Sequence, residues 1–98
     1  MTSRAEFSIV KRKPDQVSCD LSGEAVILNL NSGMYYGLDE VGALIWAALE
    51  EPRTLQYLSD IILQGYEVDR ETCDHDVMAF LANMQSAGLI EINNEAVA

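Results

Sequence analysis

Apolar residues recur along the chain with two periods, and the change between them falls at Asp39. Upstream the pattern alternates. Across Glu24 to Leu30, the side chains of Val26, Leu28 and Leu30 point to one face of a strand, and Ala25, Ile27 and Asn29 to the other. Asn31-Ser32-Gly33 forms a short turn in which Gly33 can take a positive φ. The chain then returns through Met34 to Leu38, with Met34, Tyr36 and Leu38 on the core face and Tyr35 on the opposite one. Val17 to Leu21 alternates in the same way before the turn at Ser22-Gly23. An antiparallel meander over about 17–38 follows. Phe7 to Val10 also alternates and is a candidate strand; Lys11-Arg12-Lys13-Pro14-Asp15 reads as a charged stretch ending in a turn.

Downstream the period is helical. Asp39 is a fitting N-cap, and Val41, Leu44, Ile45, Ala48 and Leu49 follow at helical spacing until Glu50-Glu51-Pro52. Thr54 caps a second helix with the stripe Leu55, Leu58, Ile61 and Ile62, and Gly65 is the expected left-handed stop. Asp69 caps a third helix to about Ala87, with Cys73, Val77, Phe80, Leu81 and Met84 apolar and Gly88 closing it. Leu89 to Ile92 returns as a short β element. The expected fold class is α+β, winged helix-turn-helix-like: an N-terminal three-stranded antiparallel β-meander, three helices and a short C-terminal β element. A single domain over 1–98 is expected, with 1–6 frayed.

A 98-residue chain that is 49% hydrophobic can build a core without disulfides or metal. The two cysteines, Cys19 and Cys73, are far apart and in no metal-ligand spacing. With no apolar signal segment at the N-terminus, reduced thiols in the cytoplasm are expected. No apolar run approaches the ~20 residues that span a bilayer, so no membrane partner is expected. The net charge of −10 is uneven: Arg4, Lys11, Arg12 and Lys13 lie in the first thirteen positions, leaving Arg53 and Arg70 against fifteen acids beyond them. Such a body repels phosphate backbones and anionic lipid. The third helix carries Arg70 against Glu71, Asp74 and Asp76, which argues against a nucleic-acid reader.

Catalysis finds no constellation here. Residues Cys73-Asp74-His75-Asp76 point about 100° apart around a helix and cannot share one ion. No phosphate loop or nucleophile-base arrangement is present, and no cofactor or metal is expected. The strand Met34-Tyr35-Tyr36-Gly37-Leu38 remains. Edge strands are usually blunted by Lys, Pro or a bulge, and this one is not. Three uses stay open: addition of an extended peptide, self-association into a homodimer, or coverage by the N-terminal segment.

The pattern Asn29-Leu30-Asn31-Ser32-Gly33-x-x-Tyr36-x-Leu38-Asp39-x-x-Gly42-x-x-Ile45-Trp46, continued by Tyr66-x-Val68-Asp69, Asp76-Val77-x-x-Phe80-Leu81 and Gly88-Leu89-Ile90, resembles the PqqD-like family over roughly 17–92. The resemblance implies a non-catalytic peptide chaperone of ribosomally synthesised peptide biosynthesis. Such a protein binds a precursor's leader segment as an added strand and presents it to a modifying enzyme or leader peptidase. The likeness is strongest to the stand-alone partner in lasso-peptide biosynthesis, with the pyrroloquinoline quinone branch as a second choice. It implies a peptide site at Met34, Tyr35, Tyr36, Gly37 and Leu38 on the strand and Asp76, Val77, Phe80, Leu81 and Met84 on the third helix. A winged-helix DNA regulator is the remaining alternative.

Overall fold

A computed structural model describes residues 8–93; the expected fraying of 1–6, and Phe7, lie outside the described residues. The elements are β1 (Ile9–Arg12), β2 (Gln16–Leu21), β3 (Glu24–Asn29), β4 (Tyr35–Leu38), α1 (Glu40–Ala48), β5 (Arg53–Thr54), α2 (Leu55–Gly65), α3 (Arg70–Ser86) and β6 (Ile90–Asn93). They make two three-stranded sheets, ordered β2-β3-β4 and β5-β1-β6. The α+β architecture and the meander match the expectation. The second sheet is an addition to it.

The second sheet explains the basic segment. Lys11 and Arg12 are strand residues rather than loop, because β1 pairs antiparallel with β6 and, at its start, with β5. Val10 turns inward and is buried, while Lys11 faces Glu91 across the ladder at 3.2 Å. Arg12 reaches the other way, donating from Nη2 to the carbonyl of Trp46 and stacking over the indole with 4.1 Å to its centroid. Burial lowers the guanidinium pKa from its ordinary value.

Trp46 anchors the core beside Ile27, Ile45, Leu49, Leu58, Leu89 and Ile90. Its Nε1 donates to Ser18 Oγ at 3.0 Å, so a large apolar body is buried without orphaning its one donor. The caps at Asp39, Thr54 and Asp69 each accept a backbone N–H of the following turn. Gly65 differs from the expectation. It is the last residue of α2 with Tyr66 as C-cap, and the left-handed glycines are Gly23, Gly33 and Gly88. In α1 the buried side runs through Gly42, Ala43, Ile45 and Trp46, whereas Leu44 is exposed and Val41 half-buried.

Candidate functional site

The site begins with the ladder of the first sheet. In β3 the buried residues are Ala25, Ile27 and Asn29, and register places Leu38 opposite Ala25 and Tyr36 opposite Ile27. Tyr36 and Leu38 therefore share the core face, with Leu38 buried and Tyr36 half-buried. Met34 corrects the expectation: it precedes the strand and is 55% exposed. Asn29 N–H donates to Met34 O at 2.9 Å, which sets the phase of the β3-β4 ladder. Since antiparallel pairs alternate, the backbone groups of Tyr36 and Leu38 turn toward β3. Those of Tyr35 and Gly37 turn outward.

Among the described residues nothing pairs with that outward edge. The segment that could have covered it, β1, is committed to β5 and β6. Two outward N–H and two outward C=O groups remain on a strand with no bulge, lysine or proline.

Helix α3 is held alongside at two points. Near the turn, Asn29 Nδ2 donates to Ala87 O at 2.9 Å. At the other end of β4, α1 presents Gly42 to Phe80 so closely that a Cβ there would lie 3.0 Å from the ring. The C-terminal end of α3 therefore lies at the hairpin, with Phe80 near Asp39.

At the Asp39 end a cavity of about 450 Å³ opens between α1, the α2-α3 connection and α3. Its apolar wall includes Val41, Ile45, Val68, Val77 and Phe80, and among the described residues Asp39, Glu67 and Asp76 supply its charge without any lysine or arginine. Tyr66, which also lines it, donates its hydroxyl to Glu40 Oε1 at 2.8 Å. That bond raises the phenol pKa from its ordinary value. Cys73 lies in the wall with its thiol pushed up by burial.

Of the helix residues expected at a site, Asp76, Val77 and Phe80 line this cavity. Leu81 does not; it faces a separate groove with Val10, Leu55 and Ile92 on the far side of α3. Met84 is 4% exposed and belongs to the core. Helical spacing put Val77, Phe80, Leu81 and Met84 on one apolar stripe, but that stripe is divided between two surfaces and the core. Sequence reasoning gave no site role to Val41, Gly42, Tyr66 or Val68, although Gly42, Tyr66 and Val68 stand in the quoted family pattern. Among the described residues no group of three His, Cys, Asp or Glu side chains could hold a metal ion.

The model of the family Coenzyme PQQ synthesis protein D (PqqD) matches residues 24–90. The chain belongs to the PqqD family. Among solved structures it is similar to TbiB1 in complex with the TbiA(beta) leader peptide, with 38% identity and a TM-score of 0.79 over 83% of this chain and 94% of that one. It also shares the fold of lasso peptide synthetase B1 complexed with the leader peptide, at 22% identity and a TM-score of 0.75 over 84% of this chain and 96% of that one. Among curated proteins none matches. The matched residues 24–90 of this PqqD-family chain take in β3, β4 and all three helices, hence every element around the edge and the cavity.

Proposed function

We propose that this protein is a non-catalytic, single-domain binder of the leader segment of a ribosomally synthesised precursor peptide, and that it hands the bound precursor to a modifying enzyme or leader peptidase. The observation that carries this reading is the outward edge of β4 at Tyr35 and Gly37, unpaired among the described residues. A peptide laid along it satisfies those backbone groups, which supplies affinity with little regard to sequence. Side-chain selection falls to the cavity at Asp39, where an apolar wall under a carboxylate rim accepts an apolar body and rejects an acid. The complexes of the two similar proteins with leader peptides support the assignment, and the lasso-peptide branch is the one we propose. Both cysteines are unbridged, in keeping with a cytoplasmic protein.

The acidic surface of α3 disfavours a DNA-binding role, since Glu71 and Asp76 are exposed there while Arg70 is engaged by Asp60 and Asp74. Titration of the ¹⁵N-labelled protein with the leader peptide encoded beside its gene tests the reading. The amides of Tyr35 and Gly37 shift most and become protected from exchange. Unmoved amides over 34–38 at saturating peptide would sink the site.

A further inference from the structure

The face of the β2-β3-β4 sheet that turns away from the helices is as apolar as the face that packs on them. Register places Val17 opposite Leu28, Leu28 opposite Tyr35, and Cys19 opposite Val26, all on this outer side, with Leu21 ending the row. Val17 is 53%, Leu21 50% and Tyr35 70% exposed. An antiparallel sheet with one face in water normally alternates polar residues outward. This one carries no lysine or arginine there, and its sole charge is Glu24. A contiguous exposed apolar surface of this kind marks an interaction site.

We propose that this outer face is where the enzyme that acts on the bound peptide docks. The proposal rests on the strand-addition reading and extends it to the second partner. Two features select the occupant. First, the ends of the face carry acids, exposed Glu24 at one and Asp15 at the other. A second copy brings the same acids and a net charge of −10, so two copies repel, while a partner with an apolar centre and a basic rim is attracted. Second, the face is continuous with the open edge. A peptide strand added to β4 projects alternate side chains onto the same side, next to Tyr35 and the bare backbone of Gly37. The complete surface is then part protein and part peptide. Enzyme docking and peptide binding are coupled, each strengthening the other by the same factor.

The test uses Val17→Thr/Leu21→Thr, two substitutions on β2 that keep strand propensity and lie a strand away from β4. The probes are the fluorescein-labelled leader peptide and the purified processing enzymes encoded beside this gene. The variant keeps the parent's thermal melt and binds the leader with the parent's affinity, within about twofold. Its association with the enzyme, and the rate at which the enzyme processes the full precursor, fall by about tenfold or more. Adding enzyme tightens leader binding by the parent chain and not by the variant. Processing at the parent's rate would overturn the docking surface alone, as would a parent dimer in light scattering that the variant abolishes. Failure of the parent to bind the leader at all would instead overturn the strand-addition reading, and the docking proposal with it.

Discussion

Asn29 joins the hairpin to the end of α3 by donating Nδ2 to the carbonyl of Ala87 at 2.9 Å. The same side chain accepts the Asn31 N–H on Oδ1 at 2.9 Å, so one buried amide both shapes the turn and seats the helix. Replacing it separates the two tasks. Asn29→Asp keeps the acceptor for the turn and loses the donor; Asn29→Ala loses both. Each is expected to destabilise the fold by about 1–3 kcal/mol in urea denaturation, because a semi-buried carbonyl loses its partner. The aspartate variant should fall on the costly side, with a carboxylate facing a carbonyl oxygen. A change within about 0.5 kcal/mol for both would show that α3 is seated by packing alone.

Proline distinguishes the two edges of β4. At Tyr35 or Gly37 it removes only an outward N–H, so the fold should survive while leader affinity drops about tenfold, the worth of roughly one hydrogen bond. At Tyr36 it removes a ladder donor to β3 and should destabilise the protein itself by roughly 2–3 kcal/mol. Thermal melts paired with peptide anisotropy separate these outcomes. Equal melting losses at all three positions would refute the assigned phase.

Gly42 sets the width of the cavity. A methyl group there meets Phe80 at 3.0 and 3.3 Å and must push the half-buried ring aside. The added helix propensity of alanine, about 1 kcal/mol, offsets much of that crowding. Gly42→Ala is therefore expected to leave stability nearly unchanged and to weaken leader binding several-fold. Undiminished binding would remove the cavity from the recognition site.

The carboxylate of Asp69 accepts the Thr72 N–H at 3.0 Å, and this holds its pKa below the ordinary aspartate value. A carboxylate depressed on folding stabilises the native state in full above its unfolded pKa and loses that contribution as pH falls through the folded one. The melting temperature of the parent should therefore fall more steeply below about pH 4 than that of Asp69→Ala. Parallel curves for the two proteins would contradict the cap's role.

The two thiols should differ in reactivity. Cys19 is exposed on the outer sheet face, whereas Cys73 is 2% exposed, donates to the Ser59 carbonyl at 3.6 Å and has its pKa raised by burial. A disulfide reagent at neutral pH should label one thiol promptly and the second about 100-fold more slowly, on local opening. Prompt labelling of two equivalents would place Cys73 outside the core.

Much of this was legible along the chain because it is local. The change of period at Asp39, the caps at Asp39, Thr54 and Asp69, and the positive φ of Gly33 and Gly88 depend on neighbours a few residues away. The two faces of β3 follow from the strand's period alone, although only packing showed that the face with Asn29 is the inner one. The α3 residues show the limit of this approach. Phe80 and Leu81 belong to one apolar stripe by spacing, and they part company because α1 packs on one side and the β1-β6 sheet lies on the other.

What the tertiary structure decided is that, among the described residues, the β4 edge is open. Residues 7–10 read equally well as a strand for that edge or for another. Their pairing is a competition between distant segments. The winner is β6, some eighty residues along the chain, because Val10 is buried against Ile92 and Lys11 meets Glu91 in that register. Local pattern specifies that a segment is a strand and which side chains share a face. The choice of partner belongs to burial and charge summed over the whole fold, and here that choice leaves the outward edge at Tyr35 and Gly37 unpaired among the described residues.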